Sequence, residues 1–158
     1  MTIERKQEFT LKISEANKTQ MITILYEMVI EYLDEAIALE KEGNRDEAMV
    51  SLQRATSCID ELIHSLNLEY ELARNLYSIY IFSRKELLAA GATGNGERIG
   101  RVRKNFDLLH SAYLELEKMD TSEKLMGNTQ KVYAGLTYGR YSLNEDVSAS
   151  YMNRGFKA

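Results

Sequence analysis

Apolar residues recur every three or four positions over most of this chain, a period that predicts helices. The second predicted helix carries a narrow seam that steps by four and three: Ala48, Leu52, Ala55, Ile59, Leu62 and Leu66. The fourth carries a similar seam: Ile99, Val102, Phe106, Leu109, Tyr113 and Leu116. Seams of this kind are typical of helices that pack side by side in a bundle.

Turn and cap residues predict where the first two helices begin and end. The first helix is expected from about Lys18 to Glu42, and Gly43 is well placed to follow its last turn. Asn44 then offers an N-cap for the second helix, with Glu47 three residues later as its capping-box partner.

The third and fourth helices are expected to follow after short connections. Asn67 is the predicted cap of the third helix, Gly91 its predicted end, and the fourth is expected over about 96–118. Since short connections place neighbouring helices antiparallel, residues 18–119 are predicted to form an all-α, up-down-up-down four-helix bundle.

The two ends of the chain have different patterns. In residues 1–17, Phe9, Leu11 and Ile13 alternate with polar residues, which predicts an extended N-terminal arm. Residues 120–158 form an irregular C-terminal tail whose aromatic residues follow no helical or strand period: Tyr133, Tyr138, Tyr141, Tyr151 and Phe156. This tail either wraps over the bundle or binds a partner.

The first and third helices carry more apolar surface than a core requires. Beside its predicted core face (Leu72, Ala73, Leu76, Ile79, Tyr80 and Leu87), the third helix has a second stripe: Tyr70, Tyr77, Ile81 and Leu88. Its apolar arc is roughly 220° wide and that of the first helix roughly 240°, against a little over 100° for a core-facing helix. The excess predicts a surface that a partner covers.

Composition and charge narrow the function classes. The chain of 158 residues has no proline, which favours long helices, and its net charge of -4 argues against a nucleic-acid partner. No apolar run approaches the roughly 20 residues of a membrane span. The single cysteine, Cys58, fits a reducing compartment. No membrane insertion and a cytoplasmic location are therefore expected.

Candidate chemistry is weak. Glu61 with His64 and Asp107 with His110 have the spacing of di-iron ligands, but the first three point away from the seams of their helices. We therefore assign no metal, no cofactor and no catalytic residue. A basic cluster in the fourth helix is either a solvated surface or a contact with an acidic partner: Arg98, Arg101, Arg103 and Lys104.

The order of these motifs resembles the FliS family of flagellin-specific export chaperones. "TQMITILYEMVIEYL" is similar to the first-helix motif of the family, with Leu25 and Tyr26 at its Leu-Tyr pair. "ELIHSLNLEYELARNLYSIY" resembles the next segment through Glu61, Leu62, Ser65, Leu66, Asn67, Leu72, Ala73, Asn75, Leu76 and Tyr80. The last helix resembles that of the family through Ile99, Val102, Phe106, Leu109, Ala112 and Tyr113. The resemblance covers about residues 9–118.

The chain departs from the family pattern at three places. Asn17-Lys18 stands where the family usually has Ser/Thr-Pro, and Glu27-Met28 where it has Asp-Gly. Tyr113 replaces a tryptophan. The choice of partner is left open by these changes.

The resemblance implies a cytoplasmic four-helix chaperone for flagellin. Such a protein binds the disordered C-terminal region of flagellin, blocks premature filament assembly and presents its client to the flagellar export machinery. The resemblance also implies that the N-terminal arm, here around Phe9 and Leu11, covers part of the client surface until it is displaced.

Specific contact residues follow from combining the resemblance with the apolar excess. The expected contacts are Ile22, Leu25, Val29 and Leu33 on the first helix and Tyr70, Tyr77 and Ile81 on the third. Two alternatives stay open: a helical adaptor that binds another client or itself as a homodimer, and a metal-binding bundle.

Overall fold

The computed structural model describes residues 1–126, which form five helices and no strand. The helices are α1 (Ile3–Glu15), α2 (Lys18–Glu42), α3 (Arg45–His64), α4 (Glu71–Thr93) and α5 (Gly96–Glu117). The predicted all-helical class is confirmed for this part of the chain. The five aromatic residues singled out in the tail lie outside the described residues.

The four long helices, α2 to α5, surround one core. Both α2 and α4 pack against α3 and α5, and α1 packs against α2. The largest fully buried side chains include Tyr26, Leu33, Ile59, Leu62, Tyr80, Leu87, Ile99 and Phe106. The seams predicted for α3 and α5 supply half of these eight. None of the described helices has the length and apolar character needed to cross a membrane.

The expectation of an extended N-terminal arm is wrong, because residues 3–15 are the helix α1. The Thr2 hydroxyl caps this helix by accepting a hydrogen bond from the Arg5 N–H at 3.2 Å. Phe9 and Ile13 lie four residues apart and pack in the same small apolar cluster. Leu11 is not part of that cluster and is 62% exposed. The alternation of three apolar residues therefore did not reflect one buried face.

Asn17 begins α2 with a complete capping box. Its side-chain oxygen accepts from the Gln20 N–H at 2.9 Å, and the Gln20 side-chain oxygen accepts from the Asn17 N–H at 2.9 Å. Asparagine thus performs at this place the capping that the Ser/Thr of the family pattern could supply. Gly43 ends α2 as predicted, in the left-handed conformation with φ of 81°.

One predicted capping box and two predicted helix ends differ in the structure. Asn44 is the N-cap residue of α3, as predicted, but its side chain makes no capping hydrogen bond, so the predicted capping box with Glu47 is wrong. The Asn67 side chain accepts from the Glu69 N–H at 3.1 Å within the connection, and Tyr70 is the N-cap of α4.

The far end of α4 lies three residues beyond the predicted one. The helix continues through Gly91, and Gly94 ends it with φ of 66°. Leu72, expected on the core face of this helix, is 62% exposed. The apolar spacing therefore predicted the position of the helix correctly, but it placed Leu72 on the core face although this residue lies at the surface.

Candidate partner-binding surface

Four large side chains form an apolar stripe along α4: Tyr70, Tyr77, Ile81 and Leu88. Tyr70 is 67% exposed and Leu88 is 78% exposed, while Tyr77 is exposed and Ile81 half-buried. Steps of seven, four and seven residues keep them on one side of the helix. We call this set the α4 stripe. All three α4 residues predicted to contact a partner belong to it.

The α4 stripe adjoins a groove between α3 and α4. The groove has a volume of about 500 Å³, and its apolar lining includes Met49 and Leu52 from α3 and Leu88 from the stripe. On its polar side, Arg84 and Asp60 join the two helices by an ion pair of 3.3 Å. The groove therefore has a mainly apolar wall with a charged pair at its edge, as is usual for surfaces that bind amphipathic helices.

Gly91 lies within α4 beside this groove and faces Met49 of α3. A Cβ atom at this position would lie 2.9 Å from the Met49 sulfur, so the flexible end of the Met49 side chain would have to shift. Gly91 does not terminate the helix.

The four α2 residues that were predicted to contact a partner divide into two pairs by their burial. Ile22 and Leu25 are half-buried at the edge of the core. Val29 and Leu33 have no exposed surface and pack inside the core, so in this structure they are not accessible to a partner. The reason is that α2 packs against α1, α3 and α5. Three neighbours within the chain fill much of the wide apolar arc of α2.

The two residues expected to cover the client surface also behave differently. Phe9 is 2% exposed and packs against α2 in a cluster with Ala16 and Ile24. Leu11 lies outside this cluster and is mostly exposed, so a covering role is not seen for it in this structure and stays a prediction. Phe9 is the one buried side chain of α1.

Ion pairs hold α1 on α2. Arg5 donates from Nη2 to Glu27 Oε1 and from Nε to Glu31 Oε1, both at 2.6 Å. Lys12 Nζ lies 3.0 Å from Glu27 Oε2. The hydrogen bond with Glu31 is the largest cause that raises the pKa of Arg5. Sequence reasoning missed these four residues, although the four-residue spacing of the glutamates was a usable signal.

The chain after α5 turns back across the junction between α1 and α2. The Leu125 N–H donates to the Ala16 carbonyl at 2.9 Å, and the Asn17 amide donates to the Ser122 carbonyl at 3.5 Å. Ala16 and Asn17 are only 2% and 6% exposed. Residues 120–126 therefore help to bury the junction, and we call them the junction strap.

Asp120, the first residue of the junction strap, ties this end of the strap to α2. One carboxylate oxygen accepts from the Ser122 N–H at 2.9 Å, and the other accepts from the Thr19 hydroxyl on α2. The hydrogen bonds with Ser122 and then Thr19 lower the pKa of Asp120 to about 2. The carboxylate is thus charged over the range in which most proteins are studied.

The candidate metal ligands do not form a cluster. Glu61, His64 and Asp107 are exposed, and no group of three His, Cys, Asp or Glu within residues 1–126 could hold a metal ion. Burial raises the pKa of the Cys58 thiol to about 11. Since the thiolate is the reactive form, Cys58 is a poor nucleophile near neutral pH.

The basic cluster of α5 is largely paired inside the chain. Arg98 and Arg101 bind the two carboxylate oxygens of Glu86 at 2.6 and 2.9 Å. Arg103 binds Asp34 on α2 at 2.6 Å. Three of the four basic residues therefore pair with carboxylates of α2 and α4 in the same chain, where the sequence left open an acidic binding partner.

Comparison of the sequence with known protein families gives a match to one family. The profile of the family described as flagellar protein FliS matches residues 1–120. No curated protein matches the chain. The family match spans all five helices and stops before Ser122 and Leu125, the strap residues that contact the junction.

Proposed function

Because this chain belongs to the FliS family of flagellar proteins, we propose that it is a cytoplasmic chaperone for flagellin. It binds the disordered C-terminal region of flagellin, prevents its premature polymerisation and delivers it to the flagellar export apparatus. The function is binding and transfer of a client, without catalytic residues or a cofactor.

The α4 stripe is the observation that carries this proposal. A disordered segment that folds on binding can lay the apolar face of a helix on Tyr77, Ile81 and Leu88 and insert side chains into the adjoining groove. Burial of one leucine-sized side chain contributes about 1.5 to 3 kcal/mol. Several such contacts are needed, because ordering a disordered client costs several kcal/mol.

Two further features support the same function. Ile22 and Leu25 lie at the edge of the core, so we retain them as contact residues on α2. The docked α1 covers another part of α2, and we propose that a client displaces it. In contrast to the four long helices, α1 contributes a single buried side chain, Phe9.

We also infer that α2 to α5 alternate in direction, as in an up-down-up-down bundle. Gly43 and Asn44 alone connect α2 to α3, and Gly94 and Asn95 alone connect α4 to α5. Connections of this length are too short to return along a helix. The family membership supports the same arrangement.

Calorimetric titration with the C-terminal segment of a flagellin from the same organism tests the function. We expect saturable one-to-one binding, a negative heat-capacity change and a gain of helical circular dichroism. Leu88→Asp should weaken binding about tenfold or more, since it replaces an apolar contact by a charge. The matched control is Leu108→Asp on α5, since Leu108 is 65% exposed and lies outside the stripe.

The outcomes separate the alternatives. Equal loss of binding in both aspartate variants would rule out the α4 stripe as the client site. Absence of binding by the unaltered protein, together with a mass that rises with concentration in sedimentation, would favour a self-associating adaptor.

A further inference from the structure

The contacts of α1 define a chemically selective surface on α2. We propose that this surface accepts a partner helix with two basic residues seven positions apart and an apolar residue between them. That a client segment takes the place of α1 rests on the function proposed above. The charge requirement is a separate inference, argued from the helix that occupies the surface in this structure.

The occupant shows which groups the surface selects. Arg5 and Lys12 both pair with Glu27, and Arg5 also pairs with Glu31. Between them, Phe9 enters the apolar cluster formed with Ala16 and Ile24. The Arg5 guanidinium lies 4.5 Å and the Lys12 ammonium 5.4 Å from the centre of the Phe9 ring. The two cations therefore bind the carboxylates and also contact the apolar side chain.

The spacing of this motif is fixed by helix geometry. Seven residues are about two turns of helix, so Arg5 and Lys12 point to the same side, and Phe9 lies between them on that side. On α2, Glu27 and Glu31 lie one turn apart and face the occupant together.

A purely apolar helix would fit this surface poorly. It would leave Glu27 and Glu31 as two like charges one turn apart, which destabilise a helix, and would cover carboxylates that are already about 70% buried in the presence of α1. Burial of a charge without a partner is costly. Cations on the partner remove both penalties, so the surface discriminates among clients by charge as well as by apolar fit.

Two double variants of the full chain test the inference with the flagellin C-terminal segment as probe. Arg5→Gln with Lys12→Gln weakens the docking of α1 and its internal ion pairs with Glu8, but leaves the carboxylates of α2 intact. Glu27→Gln with Glu31→Gln weakens the docking of α1 and also any ion pairs made by the probe. If the probe uses the carboxylates, it binds the first variant about fivefold more tightly than the second, as expected for two partly exposed ion pairs.

Equal affinity of the probe for these two variants would overturn the charge requirement, because Glu27 and Glu31 would then contribute nothing to its binding. The fivefold ratio should also shrink as salt is added, since ions screen such pairs. Glu47→Gln with Glu61→Gln removes the same charge from exposed positions on α3 and serves as the control, with the affinity of the unaltered protein.

A second measurement does not depend on flagellin. The second measurement uses full-length protein that carries Phe9→Ser, Arg5→Glu and Lys12→Glu. The two new glutamates should repel Glu27 and Glu31, so that α1 leaves its surface on α2. Synthetic peptides of residues 1–16, with the natural sequence or with glutamine in place of Arg5 and Lys12, are then titrated. The natural peptide should bind about fivefold more tightly; equal affinity, or binding of neither peptide, overturns the inference. Binding of this peptide without binding of flagellin would refute the proposed function alone.

Discussion

At the scale of single residues, Tyr26 and Tyr80 place two hydroxyl groups in the middle of an apolar core. The two hydroxyls share a hydrogen bond, and both residues are at most 1% exposed. Burial is the largest cause that raises the pKa of each. Phe106 packs against both rings. These three residues, all at positions that resemble the family motifs, tie α2, α4 and α5 together.

We predict that Tyr26→Phe lowers the free energy of unfolding by about 1 to 3 kcal/mol, because it leaves the Tyr80 hydroxyl buried without its partner. The double variant with Tyr80→Phe should cost less than the sum of the two single changes, since neither hydroxyl is then left alone. Urea unfolding of the four proteins measures this cycle. Strictly additive effects would show that the hydrogen bond does not stabilise the core.

Residue periodicity could not separate core from surface on α2. Val29 and Leu33 lie in the same wide apolar arc as Ile22, and only the packing of three helices around α2 decides which of them are covered. On α4 the same method identified Tyr70 and Leu88 correctly as lying outside the core. The difference arises because, within residues 1–126, no helix covers Tyr70 and Leu88, whereas three helices pack around α2.

At the scale of helices, the sequence predicted four of the five and missed α1. A helix of 13 residues is marginal in isolation. Tertiary contacts stabilise it, through Phe9 in its cluster and through Arg5 and Lys12 on the carboxylates of α2. These contacts depend on residues about 15 to 26 positions away, which a local pattern of alternation does not contain.

The junction strap should be sensitive to pH through Asp120. Its pKa, lowered to about 2, lies below the ordinary value of 3.8. The stabilisation is therefore complete above about pH 4 and is lost as the pH falls towards 2. We predict that Asp120→Asn lowers the melting temperature at pH 7 and that its difference from the unaltered protein disappears near pH 2.

Thermal melts of the two proteins between pH 2 and pH 7 measure this difference. A constant difference over the whole range would mean that the charge of Asp120 does not hold the strap. Glu123→Gln, a change of a strap carboxylate that is exposed, is the control for the altered net charge.

At the scale of the whole molecule, the folded unit extends beyond the family match. A chain that ends at Asp120 contains all five helices but lacks the hydrogen bonds that Ser122 and Leu125 make with the junction. A chain that ends at Met126 keeps them.

We predict that the chain ending at Asp120 is less stable than the one ending at Met126 by about 1 to 2 kcal/mol, the net value of one or two hydrogen bonds. Differential scanning calorimetry should show a melting temperature lower by several degrees. Hydrogen exchange should be faster in α1 and at the start of α2, with unchanged protection in the middle of α3. Identical melting of the two shortened chains would exclude a structural role for residues 121–126.

The buried junction also bears on how relatives of this chain can vary. In a family member whose chain stops at the end of the fifth helix, no strap would cover the position of Ala16, and we expect somewhat larger residues to be tolerated there. In this chain, Ala16 touches backbone from a segment more than 100 residues away. The two ends of such chains are then expected to change together during evolution, and small residues at this position should be inherited with the C-terminal extension.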